Sequence, residues 1–232
     1  MMDFDLQSLM FTVSVWALPV LLAVTFHEAA HGFVAWRLGD DTAFRLGRVS
    51  FNPFRHVDPF GTVIMPALLL LVSGGNMMFG FAKPVPVNFN RLRKPRRDMV
   101  LVALAGPGTN VALAVLCALM MHTLAYLPGE VAEWVFYNLR NAILLNMILA
   151  VFNMLPLPPL DGGRVAVGIL PEPLAIRLAS LERVGFLIIL GGIFLLPWVG
   201  EKLGLDLNIF WWLVGEPAAY LSRWIFHLTG VI

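Results

Sequence analysis

Residues 27–31 of this 232-residue chain read His27-Glu28-Ala29-Ala30-His31. On a helix, positions i and i+4 share one face, so both imidazoles can reach a single metal ion. Glu28 follows the first histidine, where its carboxylate can take a proton from a water attacking a carbonyl. That is the chemistry of metal-assisted hydrolysis. The plainer alternative is that these side chains only pack within a helix bundle. The motif lies in an apolar block running roughly over 9–37, however. An ionisable residue near the middle of a membrane span costs about 2.5–3.5 kcal/mol even on the lenient insertion scale. Three such residues in five positions point to function.

A catalytic zinc site takes three protein ligands and leaves its fourth position open, so the chain must supply one more. Asp161 is the leading candidate. Pro156, Pro158 and Pro159 come just before it, and Gly162 and Gly163 just after. These residues break a helix, and irregular backbone at membrane depth is tolerated only where it is buried in protein or lines a cavity. The alternative is a helix-end aspartate at the membrane interface. Two neutral imidazoles and one carboxylate would leave a Zn²⁺ site with a net charge of about +1, suited to activating water near neutral pH. Asn153, at the end of the same apolar block, carries an amide that could donate to a developing oxyanion or make a helix–helix hydrogen bond. His56, in Asn52-Pro53-Phe54-Arg55-His56, could be a further ligand, a contact behind the ligands or an interfacial residue, and the last reading is preferred. His122 and His227 fall at the far ends of apolar blocks, away from this set.

The elements that must position these groups are membrane helices. The chain is 59% hydrophobic and 13% charged, with a mean hydropathy of +0.79, against about 45–50% and about 25% for soluble domains. The apolar residues gather in blocks at roughly 9–37, 59–73, 98–124, 134–158, 182–199 and 207–228, most of them long enough to cross a hydrocarbon core of about 30 Å. The expected fold is all-α and polytopic, one membrane domain over 1–232. A net charge of +1 with no basic stripe gives no nucleic-acid signal. The lone Cys117 excludes a disulfide framework. Asp3 and Asp5 precede the first basic residue, Arg37, so the first block reads as a retained span and not a cleaved leader.

Charge sets the expected orientation. Segments 37–58 and 83–97 hold ten of the sixteen basic residues, and Arg164, Arg177 and Arg183 follow the fourth block. By the positive-inside bias all three regions face the cytoplasm. Block 59–73, short and carrying Pro59, Gly61 and Pro66, then reads as re-entrant, not crossing. Five crossings result, with the N-terminus outside. Asp161 and the cytoplasmic half of the first span then share one depth, so charge and ligand geometry ask for the same arrangement. Residues 79–87, with Pro84 and Pro86, read either as an extended edge that could hold an unwound substrate or as a Pro-stiffened loop. Residues 105–110 bring small side chains to a span, suited to close helix packing.

Together these residues resemble the site-2 protease family of intramembrane zinc metalloproteases. The likeness rests on HEAAH at 27–31, Gly106-Pro107-Gly108-Thr109-Asn110, and the Asn153…Pro156…Asp161-Gly162 segment, in the family's order. It implies Zn²⁺ bound by His27, His31 and Asp161, with Glu28 as catalytic base and Asn153 assisting. It also implies cleavage of a membrane-spanning substrate near the cytoplasmic face, often in regulated proteolysis, and a place in the lipid bilayer of a prokaryotic plasma membrane. The chain is similar to a compact, core-only subgroup with Asn52-Pro53-x-x-His56 and without PDZ or CBS domains. A di-metal membrane oxidase would need several histidine clusters, and this chain has one. A metal transporter would need paired acidic residues and histidines in its other spans. A non-catalytic regulator or transporter on the same fold is the alternative function, and the intact Glu28 speaks against it.

Overall fold

The structure, a computed structural model, describes residues 6–65, 68 and 83–232. Helix α1 (Leu6–Arg37) is apolar around most of its circumference, as suits a helix surrounded by lipid and other helices. It stops where Gly39, at a φ of 116°, turns the chain and lets the Asp40 N–H reach back to the Ala35 carbonyl at 2.9 Å. The fully buried Asp40 carboxylate accepts from the Thr42 N–H, the Thr42 hydroxyl and, across the fold, the Asn88 N–H at 2.6 Å. Residues 83–88 form neither helix nor strand, and Val85 is buried there between the exposed Pro84 and Pro86.

Helix α2 (Pro95–Met120) opens on a proline, whose fixed φ suits a first helical position. Asp98 in its first turn accepts from the Lys94 N–H at 2.7 Å. Helix α3 (Gly129–Asn153) ends where the prolines begin. An irregular stretch over 154–160 leads to α4 (Asp161–Ile169), so Asp161 stands at the first position of a new helix. This stretch is tightly folded: a methyl on Gly162 would lie 2.6 Å from the Leu155 carbonyl oxygen and closer still to that of Met154. Helices α5 (Glu172–Ser180), α6 (Glu182–Leu190), α7 (Leu196–Leu203) and α8 (Glu216–Thr229) follow, α6 running into α7 through a wider helical turn at Gly191–Leu195.

The centre of the bundle is α1, α2 and α3 packed against one another, with α4 on α2, and α8 on α3 and α2. Its contacts are made by small side chains: Ala23 and Ala35 on α1, Ala114 and Ala118 on α2, Ala150 on α3 and Ala218 on α8 are all buried. Lipid is as apolar as any side chain, so close backbone approach drives association of membrane helices. Ile143 and Met147 fill the space between α2, α3 and α8. Asn141 on α3 also donates to the Val15 carbonyl of α1 at 3.1 Å.

The all-α expectation holds. Among the described residues, four helical stretches are long and apolar enough to cross a membrane: Met10–Arg37, Pro95–Tyr126, Gly129–Asn153 and Glu182–Leu203. The sequence-level count of five crossings included block 207–228. That block folds as a helical turn at Trp211–Gly215 leading into α8, whose Glu216, Arg223 and His227 make it more polar than the four. The re-entrant reading of 59–73 lies partly outside the described residues, and 79–82 of the segment read as extended lies wholly outside them. Pro59–Ile64 is helical, capped by Asp58.

Candidate metal centre

His27 and His31 stand one turn apart on α1, and both are buried. Asp161 reaches them from the start of α4. The two Nε2 atoms are 3.0 Å apart, and Asp161 Oδ2 lies 3.3 Å from that of His27 and 3.2 Å from that of His31. No other group of three such side chains occurs among the described residues.

The other ring nitrogens decide what these three atoms are. His31 Nδ1 faces the Val102 carbonyl at 2.7 Å, and His27 Nδ1 faces Asn110 Oδ1 at 2.6 Å. The Asn110 amide is itself oriented, because its nitrogen donates to Asn146 Oδ1 at 2.7 Å and to the Ala23 carbonyl at 3.4 Å. Asn146 in turn donates to the Ala142 carbonyl at 2.8 Å. Each Nδ1 meets an acceptor and must carry the hydrogen, which leaves each neutral ring with a bare Nε2 lone pair. Asp161 Oδ2 is buried and accepts no hydrogen bond. Two nitrogen lone pairs and a carboxylate oxygen thus converge in a buried space, an arrangement that needs a cation at its centre. The triangle has the right size: atoms about 2.0–2.1 Å from a tetrahedral zinc lie about 3.3 Å apart. Burial pushes the Asp161 carboxyl up, but the two imidazoles facing it, once protonated, outweigh that and hold it well below the usual carboxylate range.

Helix α2 makes room for this cluster through Gly106. A methyl there would lie 2.6 Å from His27 Cε1 and 2.7 Å from His27 Nε2, and would overlap His31 Nε2. The glycine that the sequence suggested for helix packing therefore serves the site: the space its missing side chain leaves is where the ligands meet.

Glu28 and Asn153 line the same cavity of about 580 Å³, within the usual range for ligand pockets. Its walls are mostly apolar, drawn from α1, α3, α4, α6 and segment 83–88. Glu28 Oε2 accepts from the Val85 N–H at 2.8 Å. Val85 lies between two prolines, so this segment's sole donor over 84–86 goes to the carboxylate. Asn153 donates to the Leu149 carbonyl of its own helix at 3.0 Å and makes no helix–helix bond. His56 follows the short helical turn at Pro53–Arg55. It is buried, its Nε2 at 2.9 Å from the Ser50 carbonyl, while the Lys83 N–H donates to its own carbonyl. It stands apart from the three converging atoms and fastens the loop to segment 83–88. His122 is also remote, bound to the Thr229 carbonyl. Sequence reasoning missed Asn110, Asn146 and the Val85 N–H. The one available signal was that amide side chains inside apolar spans must find partners.

Residues 119–196 match the model of peptidase family M50. The chain is 39% identical over 181 residues to "Putative zinc metalloprotease YwhC" of Bacillus subtilis (strain 168), covering 75% of this chain and 77% of that relative. Two relatives of the same description are Rip2 of Mycobacterium tuberculosis (strain H37Rv), 30% identical over 213 residues, or 91% of this chain and 72% of Rip2, and MJ0611 of Methanocaldococcus jannaschii, 30% identical over 164 residues, or 70% and 73%. No solved structure matches. A buried cluster built for a cation, on membrane-length helices, coincides with relatives covered over most of their length, and the chain belongs to peptidase family M50, the site-2-type zinc metalloproteases.

Proposed function

We propose that the protein hydrolyses a peptide bond of a membrane-spanning substrate within the bilayer, near the cytoplasmic face, as a step of regulated proteolysis. The observation that carries this reading is the position of the cluster. Three converging lone pairs and a carboxylate share a mostly apolar cavity among helices long enough to cross a membrane.

In this reading His27, His31 and Asp161 hold the zinc ion. When bound there, zinc supplies a Lewis acid that polarises a peptide carbonyl and acidifies water. Glu28 takes the proton of the attacking water as its oxygen adds to the carbonyl carbon, and returns that proton to the amine as the C–N bond breaks. The new acid gives up its remaining proton to the amine, so a carboxylate and an ammonium group result. The Val85 N–H keeps the Glu28 carboxylate aimed. Asn153, on the cavity wall, assists by donating to the oxyanion. Segment 83–88 serves as the edge against which the unwound substrate lies. Because the Val85 N–H points to Glu28, the edge carrying Val85 and Val87 is turned towards the site, while the edge of Pro84 and Pro86 offers no donor.

The orientation that accords with this role has the N-terminus outside, with 37–58, 83–97 and 164–183 in the cytoplasm, in a prokaryotic plasma membrane. Residues 1–232 act as one domain. The test is Glu28→Gln in purified protein reconstituted in vesicles with single-span candidate substrates. Turnover should fall at least about 100-fold while one zinc per chain is retained. Cleavage unaffected by the substitution would refute the assignment of the base.

A further inference from the structure

Arg164 stands one helical turn beyond Asp161 on α4, so their Cβ atoms are about 5–6 Å apart on one face. It lines the cavity with His27, Glu28, His31 and Asp161, and it is the one arginine or lysine among the described lining residues. Its guanidinium lies over the Phe89 ring, 5.5 Å from the centroid. The acid facing it, Glu182 Oε1, is 3.9 Å from its NH2, too long for a hydrogen bond. Other cytoplasmic arginines are used differently. Arg48 NH2 donates to the Lys83 carbonyl at 2.6 Å, and Arg96 donates to that of Leu170. Arg164 is held by a ring face and a loose ion pair, and among the described residues no hydrogen bond takes its N–H groups.

The contact with the Phe89 ring face leaves the edge of the guanidinium, its fork of N–H donors, available. That edge matches one ligand chemistry well: a carboxylate bound through two parallel N–H···O bonds. The apolar surroundings, with Val24, Val87, Phe152 and Ile189 in the walls, screen the charge less than water would. We propose that Arg164 is the carboxylate-binding residue of this cavity. This rests on the peptidase reading above, which offers two sources of the ligand. One is an acidic side chain of the substrate close to the scissile bond. The other is the new C-terminal carboxylate, which appears only once the C–N bond has broken. In the second case Arg164 holds product more tightly than substrate, and its grip sets how readily the product leaves.

Short peptides can be titrated against the full chain in detergent micelles after zinc is stripped with a chelator, because the ion would bind carboxylates itself. One pair of probes is N-acetyl-Leu-Ala as free acid and as C-terminal amide. The other is N-acetyl-Leu-Glu-Ala amide and its Gln counterpart. Wild type should bind at least one acid about tenfold more tightly than its neutral twin. Preference for the free acid assigns the new C-terminus, and preference for the Glu peptide assigns the substrate side chain. Arg164→Gln should erase the preference while binding the neutral twin, and reloading zinc, as wild type does. Arg164→Lys, which keeps the charge but loses the fork, should retain only part of it. No acid preference in wild type, or an undiminished one in Arg164→Gln, overturns the proposal. Because the titration contains no zinc and no turnover, its failure is distinct from failure of the Glu28→Gln test.

Discussion

Replacing Gly106 with alanine tests whether the ligands meet where the structure brings them. Non-bonded atoms settle about 3.5–4.0 Å apart, whereas the added methyl would lie 2.6 Å and 2.7 Å from His27 Cε1 and Nε2. The overlap of about 0.8–1.4 Å has to be relieved by moving α2 or the imidazoles. Losing a partner behind a metal ligand typically costs 10–100-fold in affinity. Displacing the ligands themselves should cost at least about 100-fold in zinc affinity, or about 2.8 kcal/mol. The fold should suffer much less. Alanine in place of a helical glycine favours the helix by about 1 kcal/mol, which offsets an overpacking cost of about 1–3 kcal/mol. Stability of the zinc-free protein should therefore stay within about 2 kcal/mol of wild type. Gly108, one turn position away, provides the control. It is exposed, and a methyl there meets nothing within 4 Å, so Gly108→Ala should leave zinc affinity unchanged. The assay is competition with a chelator of known affinity, read beside circular-dichroism melting of the zinc-free forms. Wild-type zinc affinity in Gly106→Ala, or equal losses in both variants, would refute the reasoning.

Elemental analysis should find about one zinc per chain in wild type and none in His27→Ala or Asp161→Ala, since each removes one of three ligands; zinc retained in Asp161→Ala would take that residue out of the ligand set. Asn110→Ala leaves the His27 Nδ1–H without its acceptor and should weaken zinc binding about 10–100-fold, measured by the same competition; an unchanged affinity would show that the amide does not orient the ring. On acidification zinc should be released in exchange for protons on the two imidazoles, because metal ligands must be deprotonated. Asp161, held below the usual carboxylate range by those imidazoles, remains ionised through that step. Zinc retained at pH 4, followed by dialysis and elemental analysis, would count against an imidazole-bound ion.

Much of the site was legible because its residues sit where membrane sequences rarely put them. His27, Glu28 and His31 are conspicuous in an apolar span, and the helix-breaking prolines before Asp161 announced the irregular 154–160 turn that delivers it. What stayed hidden depends on which helix faces which, and periodicity carries no such information between helices that are apolar all round. Gly106 and Asn110 were readable only as packing residues until α2 was laid against α1. Asn146, on a third helix, gave no sign that it would steady Asn110. The Pro84–Pro86 pair marked a non-helical segment, but not that the N–H between the prolines would be given to Glu28. Nothing around His56 in the sequence named its partner. In the structure the loop folds inward and its own backbone supplies the histidine's partner.

The amide chain behind His27 also has a consequence for proton traffic. From the His27 ring through Asn110 and Asn146 to the Ala142 carbonyl, every link is a carboxamide or a peptide group. None of these takes up or releases a proton in the accessible pH range, so they orient the ring without forming a wire. On this route the site is insulated towards the middle of the bundle, and protons consumed or released in catalysis must pass by way of the cavity that Glu28 lines. A peptidase at membrane depth built this way can run acid–base chemistry without opening a leak along those three helices.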